Sequence, residues 1–590
     1  MKVKFLLVLF YLFIINTAPA RTKIDSAVLV ILKDPIHTAA QSKKIDDIFV
    51  LAKVWGFLKY FHPQIASGKY NWDNELIAFL PNYCRIGSSK ERSDSLEAWI
   101  NRFGVVEVCR SCSDSILKGA VLKPDLRWIT SSGFSKQLVN KLQFIVKNRK
   151  QGDQYYVTFY NGDEEKDLFI PQFQHEASYS KMVFPSDVYS LLSLFRFWNA
   201  MEYWYPYKGG MPVSWDNVLR QFIPRMIAQD NIEQYTLSVE ELSAALHDGH
   251  SVVRSSKAQE MSGRYCMPFT FKMIERKAFV TSILNDSLGK LAGVRVGDVI
   301  ESIDGKAINE IIKARAPFFS SSTNAAFLSY VPYIIIHSPK EQQVVKIKRK
   351  AGEKDCVVRN FLPRFGTQVD WNPPYFAYAQ DSAFCKLPNN IGYINMGNLE
   401  KKDSVAFSKM ISETNGLIID NRQNAEEGKN TNAFVQVSKL ILPPDRLLFK
   451  FSSAQPGYPG VFSFAAPVSL RSMMGEVTTE NYYKKNIVIL SNEATMSIGE
   501  FMTMLFRKAP SAIVMGTNTA GADGAINHIT LPGNIVVSFS GHGVYYPDGG
   551  ETQRIGIKPD IYVKQTLAGF ADHRDEILEK AIEYLKAKNK

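Results

Sequence analysis

Past its first twenty residues, this chain of 590 has no run of eighteen apolar residues, so no later segment reads as a membrane-spanning helix. It has no dense Lys/Arg block interleaved with aromatics. A net charge of +12 over such a length is therefore not the footprint of a nucleic-acid binder. Cysteine is scarce, with six in all. Cys109-Arg-Ser-Cys112 has C-x-x-C spacing, but no second ligand pair lies near it, which argues against zinc. A local disulfide or two reduced thiols remain, and the sequence does not choose a pairing for the other cysteines.

What is present begins with a leader. Lys2 and Lys4 precede an apolar run from Phe5 to Ile15, and Ala18-Pro19-Ala20 supplies small residues at a cleavage site. This reads as a signal peptide cut near Ala20, for a protein exported to the periplasm or beyond. No cysteine follows the run, so no lipid anchor is expected. The remainder, 45% apolar and 22% charged overall, is ordinary globular composition, and its length calls for roughly three to four domains.

Two segments resemble each other. "VWGFLKYFHP" ends at Pro63 and is followed by "NWDNELIAFLP", ending at Pro81. "FRFWNAMEYWYP" ends at Pro206 and is followed by "SWDNVLRQFIP", ending at Pro224. Proline to tryptophan is nine residues in both copies, and proline to proline is eighteen. We expect a duplicated helical hairpin whose aromatics are core or interdomain packing, the aromatic helix stopped by proline and a second helix starting near Trp-Asp-Asn. Stacking of a carbohydrate or other ligand on these aromatics is the alternative. "SVEELSAALHDGHSVVR" then predicts a helix closing near Gly249 and a strand from Ser251.

From about 265 to 350 the pattern becomes β-rich. In "AGVRVGDVIESIDG", turns at Gly293, Gly297 and Gly305 carry Val294, Val296, Val299, Ile300 and Ile303 inward. This stretch resembles a PDZ domain, which implies capture of an extended peptide end by strand addition. A structural β module without a ligand is the alternative. From about 380 to 565, "NIGYINMGNL", "NGLIIDNRQN", "NIVIL", "SAIVMGT" and "NIVVSFSGHGV" predict strands alternating with helices. "RDEILEKAIEYLKA" predicts a terminal amphipathic helix.

Ser497 stands where "IVILSNEATMSIGEFMTMLFRK" turns from strand to helix. There a serine is either a cap or a nucleophile served by helix-start N–H groups. "GYINMGNL", "GLIIDNRQN", "SNEATMSIGE", "GTNTAGADG" and "GIKPDIYV", in this order, resemble the tail-specific or C-terminal-processing serine peptidases, including the core of tricorn protease. The likeness covers about 240–565 and implies that Ser497 is the nucleophile. One branch of that family activates its serine with a lysine about 25 residues downstream. Here Ala522 holds that place, and Lys508, on the same predicted helix, would point away. The tricorn-like branch uses a histidine, for which "LHDGHS" implies His250 as base, and a late glutamate, for which "YYPDGGETQRIGIKPDI" implies Glu551. His247, His528 and His542 are rival histidines, and Asp548 is the rival acid. The second serine of tricorn is absent beside His250 or replaced by Ser251. The family resemblance places oxyanion donors at the N–H of Ile498 and in the loop after Asp420, Arg422 and Asn424. That loop reads Ala425-Glu426-Glu427 instead of the usual Pro-Gly-Gly, which makes Glu426 the second candidate.

The expected fold is a multidomain α+β protein: leader 1–20, mixed helical region 21–180, second hairpin 181–255, PDZ-like β domain 256–355 and an α/β domain of the ClpP/crotonase kind over 375–590. The expected activity is that of a serine endopeptidase or C-terminal processing peptidase on polypeptide substrates, with no metal or organic cofactor and no nucleic-acid partner. A catalytically inactive peptide- or ligand-binding envelope protein on the same fold is the second expectation.

Overall fold

The computed structural model describes residues 23–33, 38–161, 168–363, 383–423, 431–474 and 481–589. The leader and Glu426 lie outside them. No helix among the described residues is long and apolar enough to cross a membrane.

The two aromatic segments form matching helical pairs, Ala39–Phe61 with Trp72–Tyr83 and Asp187–Trp204 with Trp215–Ile227. In each pair two tryptophans stack and exchange hydrogen bonds. Trp55 and Trp72 lie 6.4 Å apart, each indole N–H donating to the other's carbonyl, and Trp198 and Trp215 repeat this at 6.4 Å. The copies also cross-link. Lys53 of the first pairs with Asp216 of the second, while its counterpart Arg196 pairs with Asp73. Gly56 and its counterpart Asn199 meet between the two long helices, where a Cβ on Gly56 would fall 1.8 Å from the Asn199 amide oxygen. Such exchange of equivalent partners is what a two-fold relation between the copies produces. The aromatics are buried in one large core, which gives the stacking surface to the protein itself. The long helices end at Phe61 and Trp204, just before Pro63 and Pro206, and the second helices start at Trp72 and Trp215 as expected; Pro81 and Pro224 sit inside their last turns, which run on to Tyr83 and Ile227.

The middle segment builds an antiparallel sheet with strand order Gly352–Arg359, Gln342–Arg349, Val299–Ile303, Lys277–Ile283, Phe269–Ile274, packed with the helix Asn324–Ile336 around its own core. Gly293, Gly297 and Gly305 all adopt left-handed φ, as tight turns between such strands require. Val294, Ile300 and Ile303 are buried and Val299 is half-buried; Val296, expected inside, is exposed because it lies in the turn before Gly297.

Beyond it, six strands order as Phe384–Leu387, Ile391–Asn395, Gly416–Asp420, Ile487–Ser491, Ala512–Gly516, Ile561–Tyr562, parallel after the first pair. Alternate residues serve opposite cores: Leu417, Ile419, Ile487 and Ile489 on one face, Ile418, Val488 and Leu490 on the other. That burial on both faces is why these strands read as continuous apolar runs. The helix Glu576–Lys588 closes the second core. "NIVVSFSGHGV" does not join this sheet. Its strand Ile535–Ser540 pairs with Ile526–Leu531 and with Val253–Arg254, just after His250.

Candidate active site

The sharp turn at Ser497 joins the central strand Ile487–Ser491 to the helix Ile498–Phe506. Ser497 has φ 54° and ψ −119°, and its hydroxyl caps no helix amide. Ser88 and Ser135, by contrast, accept N–H bonds at their own helix starts. A non-glycine residue held there costs on the order of 1–3 kcal/mol, and such strain is found where geometry serves a site. Ser497 is half-buried; its own N–H donates to Ala522 O at 2.8 Å. Ile498, as first helical residue, has no intrahelical acceptor for its amide.

The loop carrying Ala522 is held from below by Glu500. This fully buried carboxylate accepts Thr519 Oγ1–H, Gly521 N–H at 2.9 Å and Ala522 N–H at 2.7 Å. Burial and the nearby Asp523 charge push Glu500 up to about 8, and burial pushes Asp523 up to about 7. The Ala522 side chain is buried and faces Gly249, where an added Cβ would lie 2.9 Å from the Ala522 Cβ and 3.1 Å from the Met496 sulfur. Gly249 is thus a glycine for closeness: it lets the backbone preceding His250 lie against the side chains of Ala522 and of Met496, the residue before Ser497. Lys508 lies past the helix end, its amine over the Tyr546 ring.

The helix before His250 ends earlier than expected, at Ala244, and the left-handed residue that turns the chain is His247. His250 is buried. Its carbonyl accepts Ser538 Oγ–H at 2.7 Å, which docks it beside the strand Ile535–Ser540. Its ring Nδ1 lies 2.9 Å from Ser540 Oγ, which in turn lies 3.0 Å from Asp248 Oδ1. Asp248 also accepts the N–H groups of His250 and Ser540 and the Tyr205 hydroxyl.

Glu551, expected behind the imidazole, is elsewhere. Its side chain is exposed, its backbone bridges Tyr545, and it lines a small cavity of about 100 Å³ with Tyr207 and Phe464. The physical reason is that Asp248 and Ser540 already occupy the Nδ1 side of the ring. Asp548 is exposed too and caps its own turn through Gly550 N–H. Ser251 bonds Ser243.

Among the rival histidines, His247 and His528 are exposed. His542 lies in the turn after the strand Ile535–Ser540, buried edge-on to Phe451, with Nδ1 accepting Ala525 N–H. Burial, aided by the nearby His250, pushes it down to about 4, so it is neutral at pH 7 with its one lone pair committed. Asp420 and Arg422 form a buried bidentate pair extended to Asp575 on the last helix, with Tyr393 O–H donating to Asp420. They anchor the loop whose next part, with Glu426, lies outside the described residues.

From the middle sheet unit, Ser320 Oγ donates to Asp248 O at 2.8 Å, Ser322 Oγ accepts Gly249 N–H at 2.8 Å, and the Tyr330 hydroxyl reaches the Met496 sulfur at 3.3 Å. A cleft of about 490 Å³ opens nearby, with His247, Arg225, Glu241, Phe319 and Phe327 in its wall; neither Ser497 nor His250 lines it. Among the described residues no group of three His, Cys, Asp or Glu could hold a metal ion.

Residues 390–563 match the family model described as peptidase family S41. The chain carries a peptidase S41 domain. That match contains Ser497 but not His250, which joins the S41 domain from outside through the Val253–Arg254 pairing. Among solved structures, mature CPAF complexed with lactacystin is similar with a TM-score of 0.51 and 16% identity, over 68% of this chain and 98% of that one. A second structure of mature CPAF gives 0.50 and 16%, over 68% and 96%. At this identity the likeness is one of fold. No curated protein matches the sequence.

Two residues that the structure places beside His250 were missed in the sequence. Asp248 precedes His250 by two in "LHDGH", and Ser540 alternates with Ser538 in "VVSFS". Serines two apart on a strand share a face, and that was the only available signal.

Proposed function

We propose that this chain is an exported serine peptidase that hydrolyses peptide bonds in polypeptides through an acyl-enzyme on Ser497. The observation that carries the reading is the strained Ser497, whose hydroxyl is released from capping while Gly249 packs the His250 loop against its turn. His250 takes the serine proton through Nε2, since Nδ1 is engaged by Ser540. The serine oxygen adds to the scissile carbonyl, and the oxyanion accepts the Ile498 N–H at the positive end of the helix. The second donor comes from the loop of Glu426. The imidazolium then gives its proton to the departing amine, and water, deprotonated by the same base, releases the acid. The PDZ-like sheet unit presents the polypeptide, by its C-terminal end, to the site that it touches through Ser320, Ser322 and Tyr330.

A fluorophosphonate probe tests this. It should label the wild type and not Ser497→Ala, with His250→Ala slowed nearly as much, because such groups act as a unit. Absence of labelling from pH 6 to 9 would sink the peptidase and leave the inactive binder.

A further inference from the structure

The geometry assigns Asp248, acting through Ser540, as the group that orients and charges His250, in the place where a late glutamate was expected. The inference rests on the peptidase reading for its kinetic consequences but not for its structural content.

The direction of every proton in this chain follows from donor and acceptor chemistry. Asp248 is fully buried, and its oxygens collect four donors: Ser540 N–H at 2.9 Å, His250 N–H at 3.0 Å, the Tyr205 hydroxyl at 3.2 Å and the Ser540 hydroxyl at 3.0 Å. Tyr205 must donate here, because its oxygen accepts from Arg554 at 3.1 Å and burial holds its proton on. A carboxylate that is an acceptor only takes the Ser540 proton. The Ser540 oxygen then has only lone pairs to offer His250, so Nδ1 carries hydrogen and donates across 2.9 Å. That leaves Nε2 as the basic nitrogen, the tautomer required to receive the Ser497 proton. When the ring becomes positive, the Asp248 oxygen 4.0 Å from Nδ1 stabilises it in a site closed to water. Arg554, reached through Tyr205, and neutral His542 also face this pair, and the buried carboxyl groups of Asp523 and Glu500 stand on the Ala522 loop that packs against Gly249.

The serine is thus a polar spacer that lets a carboxylate two residues from the histidine serve it without a direct bond. Here the Asp248 oxygen that accepts the His250 amide stands 4.0 Å from Nδ1, beyond direct hydrogen-bond reach. The strand Ile535–Ser540 supplies the missing atom.

The test combines spectroscopy and kinetics. In Ser497→Ala protein with labelled histidine, the His250 ring, assigned by its loss in His250→Gln, should show the Nδ1–H form. Ser540→Ala should abolish that preference and lower the ring pKa. On active protein, Ser540→Ala should cut kcat about 10–100-fold with little change in KM. It should also move the acid limb of kcat/KM to lower pH. Asp248→Asn should cost more, on the order of 10³–10⁴-fold, because its amide can reverse the Ser540 proton and fix the wrong tautomer. An unaltered tautomer and pH limb in folded Ser540→Ala would overturn the assignment. So would a shift of that limb in Glu551→Gln. If the wild type binds no fluorophosphonate, the peptidase reading fails alone, and the histidine spectrum still decides this one.

Discussion

Glu500 shows how a single buried carboxylate ties stability to the site. Its folded pKa, raised to about 8 from an ordinary 4.5, means that the native state holds a proton that the unfolded chain has released. Stability must therefore decline as pH rises between about 4.5 and 8, and Asp523, raised to about 7, adds to the decline. Tm measured from pH 5 to 8.5 should fall more steeply in wild type than in Glu500→Gln; parallel curves would contradict the assignment. His542 works in the opposite sense. Lowered to about 4, it contributes stability that is lost as pH falls from 6.5 toward 4, and His542→Gln should flatten that acid limb. At Gly249 the consequence is catalytic. A methyl group there would press on Ala522 and Met496, and a displacement near 1 Å of the nucleophile turn can cost about 10²-fold. Gly249→Ala should slow fluorophosphonate labelling by that order while melting close to wild type.

At the scale of elements, the duplicated hairpin was legible because a spacing of eighteen between prolines recurs with tryptophans at matching places. What the pattern concealed was the exchange of partners between copies, since Lys53–Asp216 and Arg196–Asp73 join residues over a hundred positions apart. The two ion pairs are equivalent by position but not by burial. Arg196 and Asp73 are almost fully enclosed, whereas 42% of the Asp216 side chain is exposed. Removing one partner of a buried pair costs about 3–5 kcal/mol, against 0–1 for an exposed pair. Urea unfolding should accordingly rank Asp73→Asn far below Asp216→Asn in stability, and equal losses would refute the burial argument. Gly56→Ala should destabilise by about 1–3 kcal/mol through its clash with Asn199. Combined with Asn199→Ala, it should cost less than the sum of the two single changes.

Over the whole molecule, the reading of the sequence carried through for the Ser497 turn and the apolar parallel strands, because both are written in contiguous residues. The acid behind His250 was not legible. The resemblance pointed to a carboxylate three hundred residues downstream, whereas the groups that the fold sets nearest the ring Nδ1 are a serine from the strand Ile535–Ser540 and, behind it, a carboxylate two residues from the histidine. Assembly at this scale has a further consequence. The His250 loop is held on one side by the strand Ile535–Ser540 and on the other by Ser320 and Ser322 of the middle sheet unit. Those two hydroxyls bond backbone atoms of Asp248 and Gly249, so they fix the loop's position without touching the imidazole. Ser320→Ala with Ser322→Ala takes the acceptors from the Asp248 and Gly249 N–H groups, while the Asp248 carbonyl keeps Ser251 N–H, at a cost of about 1–3 kcal/mol if those two amides stay dry. Since Gly249 packs directly on Met496, the freed loop can shift relative to Ser497 before the protein as a whole unfolds. The double variant should therefore label with fluorophosphonate several-fold more slowly at 25 °C while its pH limb, set by Asp248 and Ser540, stays in place. A shifted limb would mean that these serines act on the imidazole itself, and an unchanged rate that the opposite strand alone positions the loop.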